Sequence, residues 1–142
     1  MKSSKFEPSY FKGNDELGKT STATYLKSVG CDVEVNQQLT GQDWVVRKGD
    51  STFYAEAQIC GIWTATEDYT PHSLFLPHRK GRYLDKGDKT LFFVWNTTGN
   101  LGIIFWSTHI KDPEIVSIPN PRHPNGEPFI KIDMAITKRI SI

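Results

Sequence analysis

The sequence predicts an α/β domain with a mixed central sheet of about five strands flanked by helices. Three observations predict it. An amphipathic stretch near the N-terminus carries helix start and stop residues. Short segments rich in β-branched and aromatic residues follow it. Turn sequences separate those segments. The 142 residues fit one domain, spanning 1–142. An aromatic content of 12% excludes a disordered chain. Seventeen basic against sixteen acidic residues exclude a polybasic protein but leave room for a local basic patch.

Residues 1–12 read as a loose polar arm without the apolar stretch of a secretion signal. A helix is expected over 14–29. Asn14 or Asp15 caps it, Glu16 suits its first turn, and Gly30 stops it. Thr22, Tyr25, Leu26 and Val29 fall on one side, with Glu16, Lys19 and Lys27 on the other. Strands follow over 31–36, 43–48 and 52–59, the last two joined by a Gly49-Asp50 turn. Residues 61–88 look irregular. Strands over 90–96 and 101–107 flank the hairpin sequence Thr97-Thr98-Gly99-Asn100. A short helix is expected over 108–115. Four prolines make 118–128 mostly loop, and 129–132 reads as a final edge strand.

Residues 13–20, Gly-Asn-Asp-Glu-Leu-Gly-Lys-Thr, satisfy the phosphate-loop pattern in full. The motif needs a buried strand before it, and residues 3–12 are charged and interrupted by Pro8. Asp15 and Glu16 inside the loop would repel phosphate. Nucleotide binding at 13–20 therefore ranks as the third functional reading. The alternative is a capped helix in which Gly18 permits close packing.

A sharper pattern lies on the second and third strands. Asp43 begins one strand, and Glu56-Ala57-Gln58 lies across the hairpin. Glu56 and Gln58 are two apart, so they share a face. Antiparallel pairing brings Asp43 near both. Converging carboxylates call for a cation, and a hard divalent ion with oxygen ligands suits them. Such an ion serves phosphodiester hydrolysis. In the competing reading Asp43 is a turn residue and Glu56 faces solvent.

The order of a helix ending at Gly30, a strand, Gly41-Gln42-Asp43-Trp44-Val45-Val46, a hairpin, and Tyr54-Ala55-Glu56-Ala57-Gln58 resembles the core of the PD-(D/E)XK nuclease superfamily. Restriction endonucleases and archaeal Holliday-junction resolvases belong to it. The resemblance covers roughly residues 14–107. It implies a restriction-endonuclease-like fold, Mg²⁺ or Mn²⁺ as cofactor, and DNA, duplex or branched, as substrate. Carried over, Asp43 and Glu56 are metal ligands, and the Ala57 carbonyl is a further ligand. Gln58 stands where lysine is usual. It can orient a water but carries no charge. Either another lysine, Lys80 or Lys48, supplies that charge, or activity is weak or lost. The helix glutamate of many members would fall at Lys19, and Glu16 is the acid one turn earlier.

Arg79, Lys80 and Arg82 form a basic string suited to phosphate contacts, with Tyr83 as a ring for stacking on a base. The alternative is a solvated loop balanced by Asp85 and Asp88. Cys31, Cys60, His72 and His78 lack zinc-ligand spacing, and Cys60 has no evident catalytic histidine. Trp44, Trp63, Trp95 and Trp106 read as packing residues. Two cysteines and no apolar run of spanning length predict a cytoplasmic protein with no membrane partner. The first functional reading is a Mg²⁺-dependent endodeoxyribonuclease. The second is an inactive relative that binds nucleic acid or a protein. A chain this small that cuts both strands of a duplex would act as a homodimer.

Overall fold

The computed structural model describes residues 8–38, 41–61, 63, 74–85 and 89–142. Residues 1–7 of the expected arm, His72 and Asp88 lie outside the described residues.

Helix α1 spans Pro8–Ser28 and so begins before the expected Asn14. Pro8 is its first residue, where a missing N–H breaks no helical bond. The phosphate-loop pattern at 13–20 is thus a stretch of continuous helix. Gly30, at φ +88°, ends the helix. Its N–H bonds Lys27 O at 3.1 Å and the Cys31 N–H bonds Leu26 O at 3.0 Å. This paired closure needs the left-handed residue that glycine supplies.

The strands are β1 Asp32–Val35, β2 Trp44–Lys48, β3 Ser51–Ile59, β4 Leu74–Pro77, β5 Thr90–Trp95, β6 Leu101–Trp106, β7 Glu114–Asn120, β8 His123–Ile132 and β9 Lys138–Ser141. Six form a mixed sheet in the order β1-β2-β3-β5-β6-β9. Its neighbours are antiparallel except β3 and β5. A second sheet has the order β4-β8-β7. A 3₁₀ turn, His78–Gly81, and a short helix α2, Arg82–Asp85, follow β4.

Four of the expected segments differ in the structure. Residues 61–88 contain β4, the 3₁₀ turn and α2. The helix expected over 108–115 shrinks to a 3₁₀ turn, Ser107–His109, before β7. The expected loop over 118–128 is mostly the β7–β8 hairpin. Its prolines are tolerated for positional reasons. Pro119 sits at a register shift and Pro121 in the turn. Pro124 and Pro128 lie in β8 before it meets β4, which pairs only with Phe129–Ile132. There β8 has a partner on one side alone, so a missing donor costs little. The residues expected as an edge strand are instead the paired centre of this sheet. β9 was not expected; among its residues only Ile140 is buried.

The large sheet buries both faces. Every residue of β5 is buried, as a central strand covered on two sides requires. On the α1 face, Leu26 and Thr22 meet Phe53, Ala55, Phe93 and Trp95, whereas Val29 is exposed. Gly18 passes close to Ala57 and Ile59. On the other face, Phe92, Val94, Ile103 and Phe105 meet Leu74, Leu76, Tyr83, Ile130 and Ile132. Trp63 and Trp95 are buried, and Trp44 and Trp106 are half-buried, in keeping with packing roles. No helix among the described residues is long and apolar enough to cross a membrane.

Candidate functional site

The turn before β2 delivers Asp43, and four bonds fix it. Gly41 O accepts from Tyr83 Oη at 3.2 Å. The buried Gln42 donates through Nε2 to Thr90 Oγ1 at 3.0 Å. The Asp43 N–H donates to Glu56 Oε1 at 3.1 Å, and Asp43 O accepts from the Asn36 N–H at 3.1 Å. Gly41 packs closely on Asn36: a Cβ there would lie 2.6 Å from Asn36 Nδ2 and would make that side chain shift.

β2 begins at Trp44, opposite Ala55, so β3 runs on past the end of that pairing. The Ala57 N–H is taken by Asp43 Oδ2 at 2.9 Å. Glu56 faces the side of Phe92, its register partner. There its Oε2 meets Lys80 Nζ at 3.1 Å. The same ammonium donates to Ala57 O at 3.3 Å. Lys80 reaches this point from the 3₁₀ turn after β4 and is itself buried. On the α1 side, Lys19 Nζ lies 3.8 Å from Asp43 Oδ1 and 3.0 Å from Asp15.

Burial first of all pushes the Asp43 carboxyl above its ordinary value, against the Ala57 N–H and the Lys19 and Lys80 charges. Burial likewise raises Glu56, opposed by Lys80 and reinforced by the Asp43 charge. The Asp15 hydrogen bond raises Lys19.

Asp43, Glu56, Ala57 and Lys80 therefore meet at one end of β3. Gln58 follows on the Glu56 face, and its Oε1 is buried without a hydrogen-bond partner among the described residues. Lys48 does not join them. It is exposed at the opposite end of β2, across from Ser51. Glu16 is exposed on α1, and Asp15 is the acid that turns towards this network through Lys19. Arg79 is exposed beside the cluster, while Arg82 bonds Tyr83 Oη at 2.7 Å. Tyr83 is 2% exposed, which corrects the expectation that its ring stacks on a base. A cleft of about 350 Å³ opens between Asp15 and Gly18 of α1, Gln58 of β3, Phe75 of β4, Arg79 and Phe129 of β8. The roles of Asp15 and Lys19 escaped the sequence reading, although their i, i+4 spacing was visible.

The oxygen donors suit a magnesium-like ion, which is held by one or two carboxylates and keeps waters. No group of three or more His, Cys, Asp or Glu that could hold a metal occurs among the described residues. The oxygens that converge here are those of Asp43, Glu56 and the Ala57 carbonyl, and Lys80 contacts two of these three groups. Comparison with protein-family models, curated proteins and solved structures finds no match to this chain.

Proposed function

We propose that the chain is a metal-dependent nuclease-like domain that hydrolyses DNA phosphodiester bonds. One observation carries the reading: a half-buried and a buried carboxylate, a strand carbonyl and a buried lysine ammonium converge beside an open cleft with Arg79 at its wall. Bound Mg²⁺ or Mn²⁺ would supply a Lewis acid and an acidified water. Asp43, Glu56 and the Ala57 carbonyl would hold the ion. Gln58 would orient the attacking water by hydrogen bonding. The water oxygen would bond phosphorus as the bond to the leaving sugar oxygen breaks, the proton lost by the water would pass through solvent to that leaving oxygen, and Lys80 would steady the negative charge. Lys80 takes the part left open by Gln58. Cutting a duplex on both strands would take a homodimer, and free Cys31 and Cys60 suit a reducing cytoplasm.

A plasmid-nicking assay in Mn²⁺ tests the reading. Asp43→Ala and Glu56→Ala are expected to abolish nicking by the wild type. Equal cleavage by all three proteins would overturn it.

The Lys80 contacts favour a second reading. An ammonium that already neutralises Glu56 can replace a metal, leaving a non-catalytic nucleic-acid-binding relative. Calorimetry separates the two. Mn²⁺ binding that is lost in Glu56→Ala supports the nuclease, and no heat of binding supports the relative.

A further inference from the structure

The cleft has two aromatic walls that the core does not use. Side chains alternate along β4 and β8. Leu74, Leu76, Ile130 and Ile132 point into the core. Phe75, Pro77 and Phe129 take the opposite face, remain half-buried, and line the cleft. Pro77 lies opposite Phe129 and Phe75 opposite Lys131, so the two phenyl rings are diagonal neighbours on one face. Ala57 and Lys80 belong both to this cleft and to the carboxylate cluster. Whatever fills the cleft therefore touches the site.

We propose that the cleft binds the base of an unpaired DNA nucleotide, stacked on Phe75 and Phe129, with Arg79 on its phosphate. The proposal rests on the nuclease reading and narrows its substrate to single-stranded or flapped DNA. At about 350 Å³ the cleft is at the small end of ligand sites, which suits one nucleotide. The bases of an intact duplex stay stacked on one another, so only an unpaired or extruded base reaches it. Phenyl faces accept any base, which predicts little sequence preference. Charge agrees: Arg79 is exposed, and Asp15, the one acid among the described residues that line the cleft, is paired with Lys19 at 3.0 Å.

Binding in EDTA tests the proposal apart from cleavage. Fluorescence anisotropy would compare a short labelled single strand with a duplex of equal length. The single strand should bind more tightly. The double variant Phe75→Leu/Phe129→Leu keeps apolar bulk and loses the π faces. It should bind the single strand about tenfold more weakly, since stacking on an aromatic ring adds roughly five- to hundredfold per base. Phe129→Trp restores a ring and should bind like wild type, with its fluorescence quenched by the stacked base. Equal affinity for strand and duplex, undetectable binding, or a leucine variant that binds like wild type would each overturn the base site. None of these results depends on metal. Failure to cut a labelled single strand or flap in Mn²⁺, with single-strand binding intact, overturns the nuclease reading alone.

Discussion

Lys80 Nζ lies 3.1 Å from Glu56 Oε2, with only 9% and 10% of the two side chains exposed. The ammonium also bonds Ala57 O at 3.3 Å. It thus holds two of the three oxygens that a divalent ion would use. A buried pair of this kind costs desolvation, which its mutual attraction offsets only when the geometry is good. Lys80 and a metal must compete for the same donors, although both serve the charge at this point.

The Lys80→Met variant separates these roles, because methionine keeps the apolar stem and removes the charge. Its affinity for Mn²⁺, read by calorimetry, should rise about tenfold as Glu56 and Ala57 O are freed. Nicking should fall about 10²-fold, the loss typical of one donor to a developing negative charge. Unchanged Mn²⁺ affinity would show that the ammonium and the ion do not share ligands.

Asp43→Asn tests the cost of this half-buried carboxylate. Its folded pKa is raised above the ordinary 3.8, chiefly by burial. The contribution of Asp43 is therefore most favourable below about pH 3.8 and is lost as pH rises through the folded value. At neutral pH the ionised group costs stability. An asparagine oxygen can still accept the Ala57 N–H, so the variant should be the more stable protein at neutral pH. The gain should shrink as pH falls through the folded pKa. Urea denaturation at neutral pH and near pH 3.8 reads this directly. A gain that is equal at both would refute the assignment.

The readable parts of the fold were those set by neighbours in sequence. Gly30 marked the end of α1, and the Gly49-Asp50 turn set the β2–β3 register that puts Asp43 beside Glu56. The unreadable parts depend on distant partners. Pro124 and Pro128 spoke against a strand because the sequence does not show that β4 stops at Phe129. Lys80 was legible only as one of two candidates, with Lys48, for the charge missing at Gln58, in a string that also read as a solvated loop. Its burial follows only once β4 carries it across β3 to a carboxylate and a carbonyl. Tyr83 seemed available to a base for the same reason, yet its ring fills the core against Phe92 at 6.4 Å between centroids.

Thr22→Val should destabilise the fold without touching the site. Thr22 is fully buried on α1, and its Oγ1 accepts from Trp95 Nε1 at 2.9 Å. Valine matches the shape and leaves the indole N–H unpaired in the core, at a cost of about 1–3 kcal/mol. Chemical denaturation should show that loss, with Mn²⁺ affinity unchanged.

Tyr83→Phe tests whether the Gly41 turn positions Asp43. The ring stays in the core, and only the hydroxyl that donates to Gly41 O and accepts from Arg82 is removed. The loss of stability should be about 1–2 kcal/mol, for the two hydrogen bonds that the hydroxyl makes. Gly41 lies two residues before Asp43, so a loosened turn widens the range of carboxylate positions. Affinity for Mn²⁺ should fall several-fold, beyond what the small change in folding can produce in a protein that stays folded. Thr90→Val, which removes the acceptor for Gln42 on the other side of the turn, should act in the same direction. If Tyr83→Phe loses stability and keeps its metal affinity, the remaining bonds of Gln42 and Asp43 suffice to hold the carboxylate, and Tyr83 serves the core alone.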